Sequence, residues 1–347
     1  MMNANWHEFL GANGARIDNG LVADFGDLPA ELASARDATV VAPLVHLALL
    51  ECSGEDAKSF LHNQLTSDVN HLAPDTAQHA AWCTAKGRMQ ASFLHYRTGG
   101  TYRLLLSADL LAATQKRLQM FVLRSKVKIA DLTGDNEFIG LSGPNAEAAL
   151  TGAGLPVPGT LLASATFGDG TIIRLDASRF VLVCSSTSAP ELWRRLLTLA
   201  KPAGTPVWRW LDVNAGIPLI TEATKEAFVP QMADFDKIGG VSFHKGCYPG
   251  QEIVARTQYL GKVKRHLYRI HSDAPVAAGI SIYAPDSPEH PCGMIANAAP
   301  SPDGGYDALA VIQENFVELP GLSLGESGGR GFSIAGNAHS SVISTGV

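Results

Sequence analysis

Apolar positions along the chain alternate between strand-like and helix-like periods. From Val40 the run VVAPLVHLALLEC predicts a strand. Ser53 then opens a helix with Asp56 three residues on, the spacing of a capping box, and Ala57, Phe60, Leu61 and Leu65 share one face of it. The stretch AAWCTAKGRMQASFLHYRTGGTYRLLL reads as strands broken by hairpin turns at Lys86-Gly87 and Gly99-Gly100. Ser107 caps the next helix, where Leu110, Leu111, Leu118, Phe121 and Val122 form an apolar stripe that core packing accounts for. From 136 to 200 the pattern runs strand, helix, strand, strand, helix (EFIGLSG, NAEAALTGAG, GTIIRLD, RFVLVCSS, APELWRRLLTLA), which fits a ferredoxin-like split βαβ unit. After Lys201-Pro202 come VWRWLDVNAGIPLI and a Gly-rich loop. From His266 onward short alternating segments with many Gly and Pro predict a small β-barrel, and the Gly/Ser-rich tail from Gly321 carries little pattern.

The length of 347 residues favours two or three domains. With 46% hydrophobic and 17% charged residues the composition is that of a globular protein, neither disordered nor fibrous. No apolar run reaches the roughly 18 residues of a membrane span. The N-terminal MMNANWHEFLGANGARIDNG shows no basic region followed by an apolar one, so the expectation is a cytoplasmic protein without a secretory leader. The net charge of -6 argues against bulk nucleic-acid affinity, but it is unevenly spread. Residues 245–269 carry a local +5, leaving -11 for the remainder. A second segment, Gln115 to Lys128, holds five cations and no acid. Two such stretches focus an anion site if they meet in space; otherwise they are solvated faces of a helix and a hairpin.

Candidate chemistry narrows to one place. No phosphate-binding Gly-Lys-Ser/Thr loop, His-Glu-x-x-His pair or Gly-x-Ser-x-Gly elbow is present, and the 11 histidines show no ligand spacing. The five cysteines are odd in number and widely spaced, without a Cys-x-x-Cys pair, so neither a disulfide framework nor a zinc site is expected. Cys52, Cys83 and Cys184 lie in apolar, strand-like surroundings and read as small buried hydrophobes. Cys247 differs, standing in KGCYPGQE. Gly246 leaves room for a ligand to approach the main chain, Pro249-Gly250 enforces a tight turn, and Lys245 would favour the thiolate. A thiol so placed is a candidate nucleophile, redox sensor or transient metal ligand.

The segment KGCYPGQEIVARTQYLGKVKR resembles the signature of the YgfZ branch of the folate-binding proteins related to the T-protein of the glycine cleavage system. FLHNQLTSDV, CTAKGRMQ, RLQMFVLRSKVKI and NAGIPLITEATKEAFVPQMADFDKIGGVSFHKGCY agree in order, so the likeness covers Val40 to Leu267. The resemblance implies an α+β, T-protein-like architecture of three parts. These are an interlocked folate-binding domain from 1–130 and 207–262, a ferredoxin-like domain over 131–206, and a C-terminal β-barrel over 263–347. It also implies a cleft for tetrahydrofolate or a derivative, and support of the assembly or repair of iron-sulfur enzymes, including those that thiolate tRNA. Carried over residue by residue, the motif gives Cys247 as the reactive thiol, with Lys245, Gly246, Tyr248, Gly250, Gln251 and Glu252 around the folate.

Two departures limit what the resemblance implies. Aminomethyltransferases of this superfamily bear an Asp-Asp pair where this chain has Gln90, Ala91 and Ser92, and no carboxylate occurs from Cys83 through Gly100. A general acid or base needs a titratable group within hydrogen-bond reach, so aminomethyl transfer by that route is not expected. Asn214 stands where relatives carry Glu; it offers hydrogen bonds to a pterin edge but no fixed charge. Physical reasoning adds Trp208, as a stacking partner for a flat ring or as a core aromatic, and Arg256 for the carboxylate tail. The leading expectation is a folate-binding accessory protein working through Cys247. The alternatives are a tetrahydrofolate-dependent one-carbon transferase, or a tRNA- or protein-binding module that contacts phosphate through Lys262, Lys264 and Arg265.

Overall fold

The computed structural model describes residues 3–259, 261 and 263–339, a mixture of helices and mostly antiparallel sheets, with Lys201–Pro202 pairing parallel to Val40–Pro43. The chain forms two compact units. One comprises Met1–Leu61, Val69–Gln78 and Phe93–Trp208; the other comprises His62–Asp68, His79–Ser92 and Arg209–Val347. No helix among the described residues is long and apolar enough to cross a membrane.

In the first unit a six-stranded sheet holds the 136–200 segment. Its strands Asn136–Ser142, Ser164–Phe167, Gly170–Arg174 and Arg179–Ser185 are joined by Val40–Pro43, which pairs antiparallel with Asn136–Ser142, and by Lys201–Pro202. The helices Ala146–Gly152 and Ala189–Leu196 fall where the 3.6-residue period puts them. Trp193 on the second helix meets Trp6 edge-on at 5.9 Å, so the N-terminal helix Ala4–Ala12 buries Trp6 and Leu10 in this core. A further sheet runs in the order Ala77–Cys83, Met89–Thr98, Thr101–Ser107, Leu47–Ser53, Lys128–Asp131, with its turns at the two glycine sites read from the sequence. In the second unit seven antiparallel strands curl into a half-barrel around Ile270, Ile282, Ile295, Ala310 and Ile312.

Several expectations need correcting. The run from Val40 is two strands, Val40–Pro43 and Leu47–Ser53, not one. Ser53 does not cap a helix: it continues its strand by pairing with Lys128. The chain turns at Gly54, whose φ is +116° and whose missing Cβ would collide with the Lys126 carbonyl, and the helix begins only at Ala57. The Asp56 carboxylate accepts instead from Lys126 N at 2.8 Å. Ser107 stands before the turn Ala108–Leu110 and makes no side-chain cap bond. In the following helix, Leu111–Val122, Leu118 is buried, but Phe121, assigned to the same stripe, is 43% exposed. The patternless tail supplies Ser323–Leu324, Arg330–Gly331 and Ser333–Asn337 to the half-barrel, the last pairing with Arg265–Ser272.

Trp208 shows how tightly the first unit is packed. The ring is 2% exposed, Arg179 lies over it at 5.9 Å, and it fills the space that a side chain on Gly140 would need. A Cβ on Gly140 would lie 2.8 Å from Trp208 Cδ2 and nearer still to two other ring atoms. Gly140→Ala is therefore expected to cost about 1–3 kcal/mol of stability by overpacking, read as a lower urea midpoint. Trp208→Leu in the same chain should recover part of that loss; additive losses in the double variant would contradict the packing argument.

Candidate functional site

The segment around Cys247 is anchored from beneath by Lys245. The lysine is 8% exposed, and its Nζ donates to the carbonyl oxygens of His62 and of Leu65, the latter at 2.5 Å. The ammonium also sits 4.9 Å from the centre of the Tyr248 ring. Burial pulls its pKa down to about 8, against the opposing pull of the Asp68 carboxylate. Thr66 Oγ1 donates to the Gly240 carbonyl, and Ser242 N donates to Thr66 O at 2.9 Å. Residues 62–68 and 240–248 are thus laced together, each side donating to the other's backbone.

The turn that follows Cys247 is set by two glycines in contact. Gly250 has φ +81°, and a Cβ there would collide with the Thr84 carbonyl and come within 2.6 Å of Gly87 Cα. Gly87, at φ +71°, itself lies under Ile253. The hairpin turn of CTAKGRMQ is thereby seated against the Pro249-Gly250 turn, bringing together two blocks that stand apart in the sequence. Met89 N donates to Phe228 O at 2.8 Å, Glu226 N donates to Met89 O at 2.7 Å, and Arg88 donates to Ala227 O at 2.6 Å, holding the same hairpin to the 226–228 segment. From Gly250 the chain enters the helix Gln251–Tyr259, so the basic run read as a hairpin begins as a helix. Gln251 Nε2 reaches back to the Lys245 carbonyl at 3.3 Å and closes the loop.

Cys247 is exposed, whereas Cys52, Cys83, Cys184 and Cys292 are buried. Burial pushes the Cys52, Cys83 and Cys184 thiols up to about 12. Tyr248 is buried, and its phenol is pushed up by burial and by the neighbouring Cys83. Gly246, Glu252 and Arg256 are exposed. Arg256 and Lys264 line one open cleft of about 480 Å³ together with Met232, Ile253, Thr257 and Val263. Asn214 is exposed, and its side-chain oxygen accepts from Arg269 at 3.4 Å. Arg265 begins a half-barrel strand, and Lys262 lies outside the described residues. Trp208 belongs to the first unit and is buried, in the core role of the two its sequence left open.

His62 and Gln231 were not singled out from sequence. His62 is buried, its Nδ1 lies 3.3 Å from an Asp68 carboxylate oxygen, and its Nε2 lies 3.7 Å from where a Cβ on Gly246 would stand. An imidazole thus borders Gly246, the residue before Cys247. The only sequence signal was its place in FLHNQLTSDV. Gln90 and Gln231 are 4% and 1% exposed, and each has a buried Oε1 without a hydrogen-bond partner among the described residues. Gln231 Nε2 donates to Val254 O at 2.7 Å, so only its acceptor end is left over. Ser92, within the carboxylate-free stretch, accepts from Ile220 N at 2.9 Å.

This architecture has the fold of the glycine-cleavage T-protein. The GCVT N-terminal domain family matches residues 22–154. The glycine cleavage system aminomethyltransferase T from Bartonella henselae superposes with a TM-score of 0.72 over 90% of each chain, at 16% identity. Within the class, the tRNA-modifying protein YgfZ of Yersinia pseudotuberculosis is 33% identical over 229 residues, 65% of this chain and 69% of that one. Its counterpart in Yersinia enterocolitica is 32% identical over 235 residues, 67% and 71% of the respective chains. The chain belongs to the YgfZ family.

Gly250→Ala is expected to fail on both steric and torsional grounds, since the backbone, not a flexible side chain, occupies the space. Loss of about 2 kcal/mol or more, with faster proteolysis of the 245–250 loop, is the anticipated result; wild-type stability and protection would refute the seating of the two turns. For Lys245, the ammonium titrates near 10.5 in the unfolded chain and at about 8 in the fold. The fold therefore disfavours the charged form, and this cost is fully present below pH 8 and relieved as the pH rises toward 10.5. Compared with Lys245→Met, the native chain should gain up to about 3 kcal/mol in urea unfolding across that window. A difference between the two that is flat with pH would show the lysine is not buried as described.

Proposed function

We propose that this protein is a folate-binding accessory factor that supports the assembly or repair of iron-sulfur enzymes, including those that thiolate tRNA, through the Cys247 thiol. The observation that carries the reading is the exposed Cys247 between the buried anchors Lys245 and Tyr248. A thiol held this way presents sulfur to a partner without loosening the fold. His62, held by Asp68 beside Gly246, is the adjacent group able to take the thiol proton. The names of the Yersinia relatives support the connection to tRNA modification.

The residues of the second unit fit a reduced folate in chemical type. The unpartnered Oε1 atoms of Gln90 and Gln231 are acceptors suited to the N–H groups of a pterin edge. Arg256 and Lys264, with an apolar wall of Met232, Ile253 and Val263, suit the carboxylate tail. When bound, tetrahydrofolate supplies a carrier for one-carbon units. The chain's own part is to bind and orient it. With Gln90, Ala91 and Ser92 along the strand, and Ser92 engaged by Ile220 N, no carboxylate there is available for proton transfer to the folate.

The test pairs two measurements on Cys247→Ser. Calorimetric titration with tetrahydrofolate should show binding at micromolar or tighter concentrations in both the native protein and the variant. Complementation of cells lacking the protein, scored by the activity of a tRNA-thiolating iron-sulfur enzyme, should fail with the variant alone. Full complementation by Cys247→Ser would sink the thiol, and absence of binding heat in the native protein would sink the folate.

A further inference from the structure

Two side chains of the second unit lie against the turn at residues 214–216, where the helix Thr205–Asn214 ends. Arg269, on the half-barrel strand Arg265–Ser272, donates through Nη1 to the Asn214 carbonyl at 3.2 Å and to Asn214 Oδ1 at 3.4 Å. His339 follows the strand Ser333–Asn337 and puts its Cε1 3.2 Å from where a Cβ on Gly216 would stand. The close approach requires glycine: Gly216 has φ +72°, and the Ala338 carbonyl oxygen stands 3.0 Å from the same position. The pairing of Arg269 with Gly336, and the bond from Ala338 N to Leu267 O at 3.0 Å, fix the two side chains on neighbouring stretches of backbone.

Both side chains carry a polar atom without a partner. Arg269 Nε and His339 Nε2 are buried and make no hydrogen bond among the described residues, and His339 as a whole is 8% exposed. Desolvating such atoms without a partner is costly, and native structures nearly always supply one. Arg269 also makes no ion pair among the described residues, because the residue it grips is a neutral amide. The nearest acid is already committed: Asp234 is held by Lys237 at 2.8 Å and by His266 at 3.1 Å. Burial holds the His339 imidazole below its ordinary pKa; Asp234 opposes this, and Lys237 and Arg269 add to it.

We propose that Asn214, Arg269 and His339 form a subsite for an oxyanion, the carboxylate or phosphate group of a small ligand. The guanidinium and the imidazole N–H are donors with no acceptor of their own, and one oxyanion serves both while compensating the Arg269 charge. A water molecule could satisfy the donors but would leave the charge uncompensated. The subsite shares no residue with the Cys247 loop or the Arg256–Lys264 cleft, so it stands without the folate reading. The oxyanion has two sources, a free anion or the glutamate tail of a folate, and the experiment separates them.

The test is urea unfolding of the full chain in sodium sulfate against sodium chloride of equal ionic strength, sulfate being an oxyanion that does not titrate near neutrality. Sulfate also stabilises folded proteins by exclusion from their surface, so the comparison is between chains. At about ten times its dissociation constant, sulfate should raise the folding equilibrium constant of the native chain about tenfold beyond the rise seen in Arg269→Gln. Asn214→Glu gives Arg269 a carboxylate from within the chain. Its specific gain from sulfate should vanish while its midpoint without sulfate equals or exceeds the native one, an outcome that misfolding cannot produce. In NMR, the His339 imidazole resonance, identified by its loss in His339→Gln, should titrate at higher pH when sulfate is added, because a neighbouring anion favours the imidazolium. The same resonance in Arg269→Gln should not respond. Equal sulfate gains in the native chain and Arg269→Gln, a full gain retained by Asn214→Glu, or a His339 titration unmoved by sulfate would each overturn the proposal. Calorimetric titration with tetrahydrofolate then identifies the source. Competition with sulfate that disappears in Arg269→Gln assigns the oxyanion to the folate tail, and independent binding assigns it to a separate small anion. Absence of tetrahydrofolate heat would sink the folate reading and leave the sulfate result standing, so the two failures are told apart.

Discussion

The candidate site depends on a buried ammonium. Removing Lys245 from water is costly, and the charge remains in the fold because the carbonyls of His62 and Leu65 and the face of Tyr248 replace its hydration shell. The partners lie 183 and 180 residues away in the sequence, so one side chain fixes the path of two distant backbones at once. The role differs from the one its position suggested. Two residues from Cys247, Lys245 was expected to favour the thiolate, yet its Nζ is committed to main-chain oxygens. The lysine is a strut, and the polar side chain beside Gly246, the residue before the cysteine, is His62.

Glycine contact does the complementary work. Gly250 and Gly87 touch where any Cβ would intrude, so two tight turns pack backbone to backbone. Flanked by this seat on one side and by the lysine strut on the other, Cys247 stands exposed on a short stretch of chain with little freedom. Chemistry at a thiol benefits from this: the cost of ordering the loop is met during folding and is not charged again when a partner arrives.

What was legible in the sequence follows from how local the signal is. Strand and helix periods placed the 136–200 elements other than the strand Ser164–Phe167, and the glycine turns, because each is decided by neighbours a few residues apart. The ordered motif blocks identified the site segments, and the structure joins CTAKGRMQ to KGCYPGQE through Gly87 and Gly250. Where the period was weak or tertiary contacts overrode it, the reading failed. Ser53 looks like a cap but is held in its strand by Lys128. The Gly/Ser-rich tail looks patternless because edge strands of two to five residues are too short to show a period. Phe121 completes an apolar stripe on paper, but the helix outruns the core it packs on, and nothing in a periodicity records where a core ends. Gln90 and Gln231 were invisible as a pair of leftover acceptors, since only a full accounting of buried polar atoms exposes them.

The charge distribution acquires a different meaning once the units are known. Lys116, Arg117, Arg124 and Lys128 belong to one unit, and Arg256 and Lys264 to the other. Each group is accompanied by its own apolar surface: Met120, Phe121 and Leu123 in the first, and Met232, Ile253 and Val263 in the second. An anion alone would be served by cations alone. Cations set among apolar side chains favour ligands that carry negative charge next to a flat or hydrophobic body, a description that fits a folate with its glutamate tail.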